Sequence, residues 1–135
     1  GDTYHALFNH FLWSTKHREP AITHDIRQRL YEYIGGIVRG EDGTLIAAGG
    51  DLDHVHLLVI WRHDQSAADL MRCVKSNSTK WIKRTHAELQ NFRWQEGYGV
   101  FSVSHALLDR AKAYIAAQHE HHQRFDFKAE YRKLL

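Results

Sequence analysis

Residues 53–60 read Asp-His-Val-His-Leu-Leu-Val-Ile. The apolar run with β-branched members that follows the two histidines predicts a buried strand. Successive side chains on a strand point to opposite faces, so His54 and His56 share one face. Their ring nitrogens can then converge on one metal ion. A polar pair at the mouth of an otherwise apolar strand is a local conflict, and such conflicts mark functional sites. The alternative is two partly buried histidines satisfied by backbone groups, and the residues alone leave both readings open.

Upstream, Thr44–Ala48 reads as a short strand, with Gly49-Gly50-Asp51 as the turn of a hairpin into the histidine strand. Glu41-Asp42-Gly43 is another turn. Thr23 is placed to cap a helix running to about Arg39, with Ile26, Leu30, Tyr33, Ile34 and Ile37 on one face. Residues 3–14, rich in aromatics, read as a first strand, and Thr15–Pro20 is a polar connection. Downstream, Ser66 opens a long helix to about Leu89. Gly97-Tyr98-Gly99 is a loop before a fourth strand, Val100–Ser104. A third helix spans Leu107 to about Arg124, and a short polar helix, Lys128–Leu135, ends the chain. The order β-α-β-β-α-β-α predicts an α+β, ferredoxin-like split β-α-β fold. Helices cover one face of an antiparallel sheet, an additional C-terminal helix follows, and the histidine strand lies mid-sheet.

The 135 residues fit one domain, 1–135. Apolar content of 43% and charged content of 25% are those of an ordinary globular chain. No apolar run reaches the ~18 residues of a membrane span, so no membrane partner is expected. The opening residues, Gly-Asp-Thr-Tyr-His, predict no signal peptide. One cysteine, Cys73, excludes an internal disulfide and a cysteine-rich zinc site, and fits a reducing cytoplasm. A net charge of +2 is only mildly compatible with nucleic acid.

His-x-His also occurs in amidohydrolase and cupin barrels. The chain is too short for an eight-fold barrel, and two long helical segments between strands exclude a cupin. A second constellation lies on the third helix. Tyr114 and Gln118, four residues apart, share a side flanking the apolar stripe of Leu108, Ala111 and Ile115. Packing of a tyrosine at a core margin is the plain alternative. Tyr98, between two glycines, is a rival nucleophile, better read as part of a tight turn. His119, His121 and His122 form a further cluster, read as a solvated helix end with Glu120 as a local partner. On the second helix, Arg72, Lys75, Lys80 and Lys83 fall within an arc of about 140°, roughly opposite Leu70, Val74 and Trp81. That basic face, with Asn77 and neighbouring hydroxyls, suits DNA phosphates; Lys16 and Arg18 extend it. Trp13 and Trp94 are better read as core residues than as stacking platforms.

Five segments together resemble the HUH single-tyrosine transposases (histidine, hydrophobic residue, histidine), in particular those associated with repetitive extragenic palindromes. They are His10–Arg18, Gly49–Leu58, Lys75–Trp81, Trp94–Ser104 and Tyr114–His122, in family order over nearly the whole chain. The resemblance implies cleavage and rejoining of single-stranded DNA beside a hairpin, through a 5′-phosphotyrosine. It assigns His54, His56 and Gln118 as ligands of Mg²⁺ or Mn²⁺ and Tyr114 as the nucleophile. It further implies a homodimer, no nucleotide cofactor, and a place in the bacterial or archaeal cytoplasm with the nucleoid. A domesticated hairpin-binding protein acting by occupancy or limited cleavage is one alternative. An unrelated metal hydrolase in which Tyr114 is dispensable is the other.

Overall fold

Strand β3 (His54–Trp61) runs through the interior of a four-stranded antiparallel sheet in a computed structural model of the chain, which describes residues 7–61 and 65–118. The other strands are β1 (Leu7–Ser14), β2 (Thr44–Asp51) and β4 (Gly99–Val103), and the sheet order is β2-β3-β1-β4. Helices α1 (His24–Gly40), α2 (Ala67–Thr85) and α3 (Leu108–Ala116) complete the expected β-α-β-β-α-β-α order. Among the described residues no helix is long and apolar enough to cross a membrane.

The strand alternation divides the core in two. Phe11, Trp13, Val55, Leu57 and Val59 face Ile26, Leu30 and Ile34 of α1 and Leu70 and Val74 of α2. On the other face Leu58 and Val103 bury with Ala111 and Ile115 of α3. Since β3 is covered on both sides, it carries apolar residues at both parities and admits polar ones only where partners exist. The histidines, at even positions, therefore lie on the α3 side.

The expected turn at Gly49-Gly50-Asp51 is instead the last part of β2. The hairpin turns at Leu52 and Asp53, and Gly49 pairs with His56. The glycines answer two close approaches. A Cβ on Gly49 would overlap the Ile115 carbonyl oxygen, so α3 rests directly on the strand backbone. Gly50 has φ +150° and a Cβ there would meet the His54 carbonyl.

Helix ends follow expectation in part. Ser66 caps α2, its hydroxyl accepting from the Asp69 backbone N–H at 3.1 Å. Thr23 stands at the start of α1 but its side chain makes no capping bond. Helix α1 buries Val38 as well as Ile26, Leu30 and Ile34, while Tyr33 stacks on Trp81 with ring centroids 5.5 Å apart. Helix α2 stops at Thr85, short of Leu89, because Gln90 takes the Lys83 carbonyl with its side chain at 2.7 Å and His86 is extended. Helix α3 closes at Ala116. The expected continuation to Arg124, the cluster His119, His121 and His122, and the helix Lys128–Leu135 lie outside the described residues.

Candidate active site

His54 and His56 stand side by side on β3, as the strand period requires. Their ring centroids are 5.3 Å apart and the rings are nearly perpendicular, at 83°. Both are buried, at 3% and 0% exposure. Each is held at Nδ1. Asp53 Oδ1 lies 2.8 Å from His54 Nδ1, and His10 Nε2 lies 2.8 Å from His56 Nδ1. A carboxylate can only accept, so neutral His54 carries its proton on Nδ1 and its lone pair on Nε2. Asp53 also accepts from Arg18 Nε at 2.9 Å through Oδ2. Burial would raise the Asp53 pKa, but the hydrogen bonds from His54 and Arg18 outweigh it and hold the carboxyl below its ordinary value.

His10 comes from β1, where it pairs with Leu58 and is fully buried. Burial pushes its pKa from 6.5 down to about 4, so it is neutral at physiological pH. Neither His10 nor Asp53 stood out in the sequence. Asp53 directly precedes the histidine pair, but nothing in its type distinguishes it from a turn residue. His10 is a polar interruption in an aromatic strand, a weak signal that becomes meaningful only once β1 and β3 are paired.

Tyr114 is delivered to this face by α3, seated on Gly49. Its half-buried ring lies 5.9 Å from that of His56 and 6.2 Å from that of His10, centroid to centroid, edge-on to both. These are histidines of its own chain. One turn later Gln118 is 0% exposed, more deeply sheltered than a position beside the apolar stripe predicts. Its Nε2 donates to the Tyr114 carbonyl at 3.2 Å, while its buried Oε1 has no hydrogen-bond partner among the described residues. A buried amide oxygen left so is costly. Two imidazoles and an amide oxygen are neutral donors suited to a divalent ion, so the residues present fit the metal implied by the resemblance. Among the described residues no three His, Cys, Asp or Glu side chains gather to hold a metal.

Tyr98 is elsewhere. Its ring leans on Phe11, 6.3 Å between centroids, and Phe11 belongs to the α1–α2 side of the sheet. Trp13 and Trp94 are buried against each other, and Trp94 Nε1 donates to Ser78 Oγ at 3.0 Å.

The basic residues are not gathered at the histidines. Arg72, Lys75, Asn77, Lys80 and Lys83 are on α2, across the sheet. Arg72 pairs with Asp69 at 3.0 Å, and Asn77 donates to the Cys73 carbonyl at 2.9 Å. Lys75 Nζ donates to the Gln95 and Gly97 carbonyls at 2.8 and 2.6 Å, strapping the loop before β4 to α2. Burial lowers the Lys75 pKa against the opposing pull of Glu96. Lys80 and Lys83 make no ion pair among the described residues. Lys16 is half-buried, its backbone N–H bonded to the Arg93 carbonyl at 2.9 Å. Arg18 alone of the set reaches the site, through Asp53.

By the family model it matches, the chain is a transposase. More narrowly, the chain belongs to the family described as "Transposase IS200 like", whose model matches residues 3–118. Among solved structures, the chain is similar to a protein from Deinococcus radiodurans described as a transposase. The two share 24% identity over 88% of this chain and 96% of the other, with a TM-score of 0.72. It also resembles a REP-associated tyrosine transposase bound to a REP hairpin, at 17% identity over 85% of this chain and 68% of the other, with a TM-score of 0.61. At these identities the likeness speaks for the fold. No curated protein sequence matches significantly.

Proposed function

We propose that this transposase cleaves and rejoins single-stranded DNA beside a hairpin, with Tyr114 as nucleophile and His54, His56 and Gln118 as ligands of Mg²⁺ or Mn²⁺. The observation that carries the reading is the meeting on one sheet face of the buried histidine pair and the Tyr114 ring; one helical turn on, the buried Gln118 Oε1 lacks a hydrogen-bond partner among the described residues. The histidine pair would hold the ion by nitrogen, and Gln118 would add its oxygen. Bound there, a divalent ion neutralises phosphate oxygens and stabilises charge in the transition state. Mg²⁺ prefers oxygen donors and Mn²⁺ accepts imidazole more readily, so both support the reaction and Mn²⁺ binds more tightly.

The Tyr114 hydroxyl gives its proton to solvent as its oxygen attacks phosphorus. The P–O3′ bond breaks, the departing 3′ oxygen takes up a proton, and the 5′ phosphate stays on the tyrosine. Rejoining reverses these steps with a different 3′ hydroxyl, so the phosphodiester energy is kept and no nucleotide cofactor is needed. Asp53 and His10 hold the His54 and His56 rings in place, and α3 keeps Tyr114 against them. The homodimer implied by the resemblance belongs to this reading. In the test, a hairpin-bearing single strand labelled at either end is incubated with protein and Mg²⁺. Label on the 5′-phosphate side of the cut should migrate with the protein on a denaturing gel. Hairpin binding with cleavage but no adduct would instead indicate a hydrolytic site, and binding alone would indicate action by occupancy.

A further inference from the structure

We propose that His10 and Asp53 are positioning residues that set the tautomers of the histidine pair, so that both rings present Nε2 to the ion. The inference rests on the metal reading above and assigns the work of orienting its ligands.

Asp53 Oδ1 accepts from His54 Nδ1, and the second carboxylate oxygen is pinned by Arg18. The carboxylate cannot swing away without breaking the Arg18 contact. At His56 the neighbour on Nδ1 is not a carboxylate but the imidazole of His10. A metal-bound His56 with its lone pair at Nε2 carries its proton on Nδ1, and that proton needs an acceptor. His10 Nε2, 2.8 Å away, is that acceptor, which places the His10 proton on its own Nδ1. The rings meet at 42° with centroids 5.0 Å apart, so the contact is a hydrogen bond in a packed setting and not a stack.

Position 10 would otherwise be an ordinary core site. It is fully buried, opposite Leu58 and 6.3 Å from the Phe101 ring, where an apolar side chain would pack without desolvating two nitrogens. An imidazole there has a reason if it orients His56. Partners of this kind behind metal-ligating histidines fix ring and tautomer, and their loss costs about 10- to 100-fold in metal affinity.

Two measurements on the whole chain test this. Long-range ¹H–¹⁵N correlation of the metal-free protein should find His54 and His56 both as Nδ1–H tautomers; an Nε2–H tautomer at either would overturn the proposal for that residue. Calorimetric Mn²⁺ titration should then show affinity falling about 10- to 100-fold in His10→Phe and in Asp53→Ala. His10→Gln and Asp53→Asn, whose side-chain oxygens can still accept, should recover most of it. Full Mn²⁺ affinity in folded His10→Phe or Asp53→Ala would contradict the proposal. Wild-type protein that binds no Mn²⁺ would count against the proposed function instead, and the tautomers would still decide the roles of His10 and Asp53.

Discussion

Gly49 lies directly under the carbonyl of Ile115, the residue after Tyr114, with no room between them for a methyl group. This contact seats α3 on the sheet and places the tyrosine beside His56, the strand partner of Gly49. Gly49→Ala should therefore lift the helix. Overpacking of this kind costs about 1–3 kcal/mol, read by urea unfolding. If Tyr114 is the nucleophile and the α2 face meets the DNA, cleavage should fall more than hairpin binding, because Tyr114 moves while α2 does not. Equal losses in both would point to general unfolding instead.

His10 makes stability depend on pH. Burial lowers its pKa from 6.5 to about 4 in the folded chain. As pH falls, the unfolded chain takes up this proton first, so stability present above pH 6.5 is lost progressively down to pH 4. At 1.36 kcal/mol per pKa unit, the loss is on the order of 3 kcal/mol. Urea unfolding across that window should show it, and His10→Phe should flatten the slope. Asp53, held below its ordinary value by His54 and Arg18, acts in the same direction at still lower pH.

Gln118 sets stability against function. Its buried Oε1 lacks a hydrogen-bond partner among the described residues, so Gln118→Leu, of similar volume, relieves a desolvation cost. The metal-free variant should unfold no earlier than wild type and gain on the order of 1 kcal/mol. If Gln118 is a metal ligand, Mn²⁺ should stabilise wild type by mass action and raise the melting temperature far less in the variant. An unchanged Mn²⁺ response would remove Gln118 from the ligand set.

The basic residues of α2 separate by their partners. Lys75 is tied to the Gln95 and Gly97 carbonyls, so Lys75→Met should cost about 0.5–1.5 kcal/mol of stability by removing the strap from α2 to the loop before β4. Among the described residues Lys80 and Lys83 have no such side-chain tie. If they meet phosphates, Lys80→Ala and Lys83→Ala should weaken hairpin binding uniformly across sequences. Each should also reduce the slope of log K against log salt by about 1. Fluorescence anisotropy over a salt series distinguishes the two behaviours.

The architecture was legible where one residue pattern allowed one outcome. The apolar run after His54 required a doubly covered strand, Ser66 required a helix start, and Ala111 and Ile115 required a buried stripe. The reading failed where backbone met backbone. Glycine at 49 and 50 looks the same whether it makes a turn or admits a neighbouring carbonyl, of Ile115 in α3 or His54 in β3, and only the tertiary contact decides. The pairing of His54 with His56 followed from the strand period. That of His10 with His56 depends on the register of β1 against β3, which no local pattern encodes. For the same reason the α2 arc was recognisable as one helical face, but its place across the sheet from the histidines was not. Arg18 was read for its charge, whereas the fold gives it Asp53 as a partner.

The central claim is that Tyr114 takes the DNA strand. Trypsin cuts after Lys112 and Arg124, releasing residues 113–124 with Tyr114 as their only tyrosine. After reaction with a hairpin-bearing single strand and Mg²⁺, followed by nuclease trimming, mass spectrometry should find this peptide carrying a 5′-phosphonucleotide on Tyr114. The adduct should be absent from Tyr114→Phe, which should still bind the hairpin. Cleaved DNA with an unmodified 113–124 peptide, or an adduct that persists in Tyr114→Phe, would contradict the account.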